Sequence, residues 1–420
     1  MNRIITGVIG LASAAALIAA CSADSSQLSD DEGSSNNNTG GAGTGGTDFN
    51  PNNTGGSGAG VITDPPCDNT PEMDGDGDGW TGAQGDCNDC TNLMNPGALD
   101  YAGNNIDEDC NGVDDDTVLT CDDVLAIDSQ DGLDGARAMG LCHLSNGETW
   151  GVISAEYLLV DGNSGASQPM FHDGHGILSD FGAVVKPQEG SKLFAVSSGA
   201  ARDMNDPGYV DPGGHDKFYT SGAAPGFPKE SPSCPGVITG QAHDSIQLRV
   251  RMKTPTNAKS LSFNVNMFTY EFPFYICSTY NDFVTAVMSP APAGLADGMC
   301  NGIPCGNISF DSQGNPLSVN AGFLEVCDPQ TAGGKNFACM LGSGDLVGTG
   351  FGADAGFENH AATGWLQTSA PIGTAGEEIT IEFGAWDSGD GVLDTTGLFD
   401  NFRFELEETP TETEPIPNPK

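Results

Sequence analysis

The chain has 420 residues, of which 58 are Asp or Glu and only 14 are Lys or Arg, for a formal net charge of −44. So acidic a chain repels DNA, RNA and anionic lipid headgroups, which excludes nucleic acid as a partner. A compact domain at this charge also repels itself, so clustered carboxylates point to bound divalent cations and scattered ones to solubility.

The chain opens with a positive Met1-Asn2-Arg3, an apolar run over residues 4–20 and then Ile18-Ala19-Ala20-Cys21. This is the layout of a secretory signal, too short and wrongly flanked for a stable membrane span. Small residues before a cysteine resemble a bacterial lipobox. That resemblance implies lipidation of Cys21 and a membrane anchor. With Ser22-Ala23 following in place of an Asp, it implies the outer membrane and a cell-surface lipoprotein. Residues 22–66 are Gly, Ser, Thr, Asn and Asp with almost no apolar content, which predicts a flexible tether.

Residues 67–118 are poor in hydrophobes and dense in Asp, Asn, Gly and Cys, so they predict a module held by disulfides and metal. Two stretches have the form Asp-x-Asp-x-Asp/Asn-Gly: Asp74 to Gly79 and Asp107 to Gly112. Oxygens on alternate residues of a tight loop suit a hard cation with six to eight oxygen ligands, and Ca2+ fits best. In the first loop Asp74, Asp76 and Asp78 would give carboxylates and Trp80 its carbonyl. In the second, Asp107, Asp109 and Asn111 would serve, with Asp115 a further ligand. Asp86, Asn88 and Asp89 lie between and would bridge the two sites. Gly85 stands where an EF-hand places its bidentate Glu, which argues for a static calcium module; the bland alternative is a pair of solvated Asp-Gly turns.

Asp-Gly-Asp-Gly-Trp, Gly85-Asp86-Cys87-Asn88-Asp89, Asn95-Pro96-Gly97-Ala98 and Asn105 to Gly112 together resemble the MopE-type metal-binding motif of myxobacterial surface proteins, over residues 74–116. Copper binding in that family relies on histidine and a modified tryptophan. This segment has Trp80 and no histidine, so a copper or other transition-metal protein stands only as the rival reading.

Thirteen cysteines are present; with Cys21 lipidated, an even dozen remains for disulfides in an oxidising compartment. Proximity pairs Cys121 with Cys142, Cys300 with Cys305 and Cys327 with Cys339, leaving Cys234 with Cys277. Cys67, Cys87, Cys90 and Cys110 form a second group with three possible pairings. A zinc site at Cys87-Asn88-Asp89-Cys90 lacks a second Cys-x-x-Cys.

From Cys121 the composition turns globular. Residues 122–127 and 135–141 predict short helical turns. Alternation at 246–252, 261–267, 379–383 and 402–406 then predicts strands buried on one face. Long Gly/Pro-rich loops and no long helical period make residues 119–406 a large antiparallel β-sandwich, jelly-roll-like, in a mainly β protein. His172, His175 and His215 read as solvated loop histidines. Residues 407–420 repeat Pro, Thr and Glu and predict a disordered tail.

Tyr270 to Ile276, Ser278 to Phe283, Asn307-Ile308-Ser309, Ser318-Val319-Asn320 and Asp387 to Asp394 resemble the choice-of-anchor L domain of bacterial surface proteins, over most of residues 120–406. The resemblance implies surface display and adhesion to an extracellular ligand: a glycan, matrix or cell-surface protein. Within this domain Glu271, Asn281, Asp282, Asp387, Asp390 and Asp394 form a second candidate metal site. No Gly-x-Ser-x-Gly elbow or zinc-hydrolase helix is present, so a non-enzymatic protein is expected, with a polysaccharide hydrolase as the rival.

Overall fold

The computed structural model describes residues 70–116 and 119–420. The export signal with Cys21, the tether over 22–66 and Cys67 lie outside the described residues.

In chain order the first strands are β1 (Gly151–Leu158), β2 (His175–Leu178), β3 (Leu193–Ser197), β4 (Thr220–Ser221) and β5 (Ala242–Lys253). Next come β6 (Ser260–Thr269), β7 (Phe283–Ser289), β8 (Gly298–Cys300), β9 (Ile303–Asn307), β10 (Gln330–Ala332) and β11 (Lys335–Phe337). The last are β12 (Ala361–Ala362), β13 (Leu366–Pro371), β14 (Glu378–Ser388), β15 (Thr395–Glu405) and β16 (Glu412–Pro415). Two seven-stranded antiparallel sheets result. One runs β1-β5-β14-β7-β9-β8 with β4 beside β5, the other β16-β13-β6-β15-β3-β2 with β12 beside β6. The fold is the mainly β sandwich that the alternation predicts.

The inner faces explain the stacking. Leu248, Val250 and Met252 of β5 and Phe383 of β14 meet Phe263 of β6 and Phe399 of β15 in one buried cluster. Phe383 sits edge-on to Phe263 at 5.3 Å and to Phe399 at 5.0 Å, the offset geometry aromatic quadrupoles favour. On the outer face of the first sheet the polar residues pair across strands, with Arg249 Nε on Glu382 Oε1 at 2.7 Å and Arg251 on Glu378.

Three expectations need correction. The second sheet is covered on both faces: Phe181, Leu346, Phe351 and Trp365 from the long loops pack over Phe268 and Leu398, so β6 is buried along its whole length. Residues 407–420 are no disordered tail; Thr413 is buried in β16, which pairs with β13 and lets that sheet end in a short acidic edge strand. Finally, 122–127 forms turns only, because the Asp122 carboxylate is spent on the Ser191 and Lys192 N–H groups. The helix α1 (Gly132–Arg137) starts earlier than 135, where the Asp131 side chain accepts from Leu133 N–H and caps it.

The disulfides Cys121–Cys142, Cys234–Cys277, Cys300–Cys305 and Cys327–Cys339 are formed. In the module Cys87 bonds to Cys110, and Cys90 is disulfide-bonded too, which leaves no Cys-x-x-Cys thiolates for zinc.

Candidate metal centre and the seam beside it

The module backbone over residues 70–116 is a chain of turns with one short 3-10 segment at Gly82–Gln84. Its carboxylates build those turns. Asp74 accepts the Gly77 and Gly79 N–H groups, Asp78 accepts Trp80 N–H at 2.8 Å, and Asp86 accepts Asn88 N–H at 2.8 Å. Asp89 reaches back across the loop to Gly75 N–H at 2.7 Å. The result is two groups of acidic side chains, Asp74–Asp76–Asp89 and Asp76–Asp78–Asp86, each with ligand atoms within 4.8 Å of one another. Asp76 belongs to both.

These residues fit a cation. Asp76 Oδ2 and Asp86 Oδ2 are buried and have no hydrogen-bond partner. An orphaned carboxylate oxygen is costly unless something positive sits beside it. Burial, ahead of the neighbouring Asp charges, pushes Asp76 and Asp78 above the usual carboxylate range and Asp86 up to about 6. A bound divalent ion would reverse that cost by supplying the missing charge. Asn88 turns its side-chain amide toward the Met94 sulfur at 3.7 Å, and Trp80 gives its N–H to Asp78.

The second loop behaves differently. Asp107 accepts the Asn111 and Gly112 N–H groups, Asp109 accepts Asn111 N–H, and the Asn111 side chain donates to Asp109 and Asp116. Asp115 Oδ1 collects three N–H groups, from Gly103, Asn104 and Asn105, which holds its carboxyl below the usual range. The structure does not gather Asp107, Asp109 and Asp115 into such a group; they close turns.

The module is bonded to the sandwich. Asn257, 4% exposed, accepts Leu99 N–H at 2.8 Å and donates to the Leu99 carbonyl at 2.9 Å. Thr256 N–H donates to the Gly97 carbonyl at 3.0 Å. A Cβ on Gly97 would stand 3.1 Å from both Thr256 Cγ2 and Trp80 Nε1, so a larger residue here would press those side chains aside by a few tenths of an ångström. Along the seam runs an open polar groove of about 730 Å³, with Asp78, Trp80 and Asn92 on one side and Glu148, Lys253 and Glu377 on the other.

The second expected set of ligands is only partly assembled. Asn281 accepts Asn320 N–H, and Asp282 accepts Ser388 N–H and the Thr395 hydroxyl, each at 2.9 Å. Asp390 is half-buried, with His243 and Asp216 as its charged neighbours. Glu271, Asp387 and Asp394 are buried at one end of the sandwich. Burial first, and adjacent Asp387 next, pushes Glu271 up to about 9. Sequence reasoning missed Lys217 there, fully buried with Nζ donating to the Ser197 and Gly199 carbonyls at 3.2 Å. It also missed the histidines' setting. His175 is completely buried under Tyr157 at 3.8 Å, its Nε2 2.9 Å from His172 Nδ1, and His215 is buried as well.

A comparison with family models gives no match, and neither does one with curated proteins. Among solved structures, the K2 cleaved adhesin domain of Lys-gingipain is similar over 62% of this chain and 95% of that one, at 10% identity and a TM-score of 0.24. So loose a superposition says nothing further about this chain.

Proposed function

We propose that this chain is an outer-membrane, cell-surface lipoprotein without enzymatic activity, in which calcium sets an Asp-rich module against a β-sandwich that binds an extracellular ligand. The observation that carries the calcium reading is the pair of buried, unpartnered oxygens on Asp76 and Asp86, in a carboxylate group that shares Asp76 with a second. Six to eight oxygens at a flexible site are what calcium accepts and what turn carboxylates with neighbouring carbonyls can give. The reading also stands on the resemblance of residues 74–116 to the MopE-type motif and of the sandwich to choice-of-anchor L domains. The signal run ending at Cys21 supports display outside the cell.

The seam groove is the binding surface we favour. It is polar, carries both charge signs and includes the half-buried Trp80 ring, a combination that suits a glycan stacked on an aromatic face. A glycan array probed with the full chain in calcium and in chelator tests this, with Trp80→Ala beside it. Binding that disappears in chelator and in the variant supports the proposal; binding indifferent to both overturns it.

A further inference from the structure

Asp74, Asp76, Asp78, Asp86 and Asp89 crowd five carboxylates into one corner of the module. Residues 70–116 contain no Lys, Arg or His to offset them. Lys253 lies across the seam groove from Asp78, but its ammonium is on the Gly147 and Glu148 carbonyls. One divalent ion would offset two of the five charges, and two ions would offset four. Like charges this close favour the second outcome.

The geometry sorts the five into two centres. Oxygens that share one calcium, each about 2.3–2.6 Å from it, lie within about 5 Å of one another. The five do not close into one such group but into Asp74–Asp76–Asp89 and Asp76–Asp78–Asp86. Asp76, common to both, has its Oδ2 buried and unpartnered, while its Oδ1 accepts the Asp78 N–H at 3.1 Å and keeps a second lone pair. Such a carboxylate has an oxygen for each of two ions. Asp86, 8% exposed, adds a second buried oxygen without a partner. The covalent frame treats the groups separately as well. Asp86 directly precedes Cys87 and Asp89 directly precedes Cys90, and both cysteines are disulfide-bonded, so one acid of each group is pinned before an ion arrives.

We propose that the module binds a pair of calcium ions bridged by the Asp76 carboxylate, an inner one on Asp76, Asp78 and Asp86 and an outer one on Asp74, Asp76 and Asp89. This rests on the calcium reading of the module and adds its stoichiometry and order of filling. The inner ion meets the more buried ligands, beside the seam that Asp78 lines. The outer ion meets the exposed Asp74 and enters next to a positive charge already in place, so it binds more weakly. Water and turn carbonyls complete both shells, as calcium allows. At limiting calcium the module carries the inner ion alone. The outer ion, which ties Asp89 to Asp74, is the one that responds to calcium concentration.

The test is equilibrium dialysis of the full chain against calcium chloride, from micromolar to millimolar at physiological ionic strength. Bound calcium is counted by inductively coupled plasma mass spectrometry. The blank is the full chain carrying Asp76→Asn, Asp86→Asn and Asp89→Asn together, so that counterions held by scattered acids cancel in the difference. Asparagine keeps an acceptor oxygen for the Asp78, Asn88 and Gly75 N–H groups that these turns use. Wild type should bind two ions more than the blank, and Asp89→Asn alone should bind one more, the tighter of the two. A difference of one between wild type and blank overturns the pair and leaves a single calcium in the module. No difference overturns the pair and the calcium reading together. An Asp89→Asn variant that loses neither ion, or both, also overturns the pair. Should the blank not fold, calorimetric titration of wild type decides: a tight step and a weaker one are expected, and a single step overturns the proposal.

Discussion

Asn95 joins Asp78 to the sandwich: its side-chain amide donates to Asp78 Oδ2 at 2.8 Å while its Oδ1 accepts the Thr256 hydroxyl at 2.8 Å. Asn95 is fully buried, so this relay links a candidate ligand to a residue in the loop between β5 and β6.

Asn95→Ala should therefore act on both structure and binding. Leaving the Thr256 hydroxyl and Asp78 Oδ2 without their Asn95 partner costs about 1–3 kcal/mol. Calcium affinity, read by calorimetry, should fall although Asn95 supplies no carboxylate. An unchanged affinity would show that the seam and the ion are independent.

The two turn families make opposite predictions for neighbouring acids. Asp76→Asn removes the carboxylate common to both groups and should weaken calcium binding by at least about tenfold. Asp115→Asn should loosen the turn over Gly103, Asn104 and Asn105 and leave calcium affinity where it was. Equal losses in titrations of the two variants would mean that the second loop binds metal after all.

His175 should impose an acid limit on stability. Burial, followed by His172, Arg202 and Lys217, holds its folded-state pKa down to about 3, against about 6.5 unfolded. Above pH 6.5 both states are neutral and nothing is lost. Below it the unfolded chain takes up a proton that the folded chain refuses, so stability falls by about 2 kcal/mol by pH 5. His175→Phe keeps a ring against Tyr157 and removes this proton linkage. The stability gap between wild type and variant should narrow by about 2 kcal/mol from pH 7.5 to pH 5, measured by denaturant melts. A gap that stays constant would contradict the buried neutral imidazole.

The disulfides should differ in value by the chain they close. Cys234–Cys277 spans 43 residues and Cys300–Cys305 spans 5. Chain entropy then assigns about 4 kcal/mol to the first and about 2 kcal/mol to the second. Ser replacements of each pair, compared by calorimetry, check the order.

Where one face of a strand met the core and the other met water, the sequence was legible. β5 and β14 show it, with Met252 and Ile379 inward and the exposed pair Arg251 and Glu378 outward. β3 and β7 carry apolar residues on both faces, so periodicity had nothing to report, whereas β6, equally buried, still alternates because Ser262, Asn264 and Asn266 line its second face. The two Asp-rich loops looked equivalent because the same pattern encodes Asx turns and ligand sets. Only the three-dimensional closure of Asp86 and Asp89 onto Asp76 separates them. Lys217 was invisible for a related reason. A single lysine between Asp216 and Phe218 carries no periodic signal, and its burial is set by strands distant in the chain.

The most direct test of calcium as the ion that fixes the module is limited proteolysis of the full chain, with cleavage sites read by mass spectrometry, in millimolar calcium and in excess chelator. Cutting within residues 70–116 should accelerate about tenfold or more without calcium, while the sandwich strands stay protected. Identical cleavage in the two buffers, from a chain that calorimetry shows to be folded in both, would contradict it.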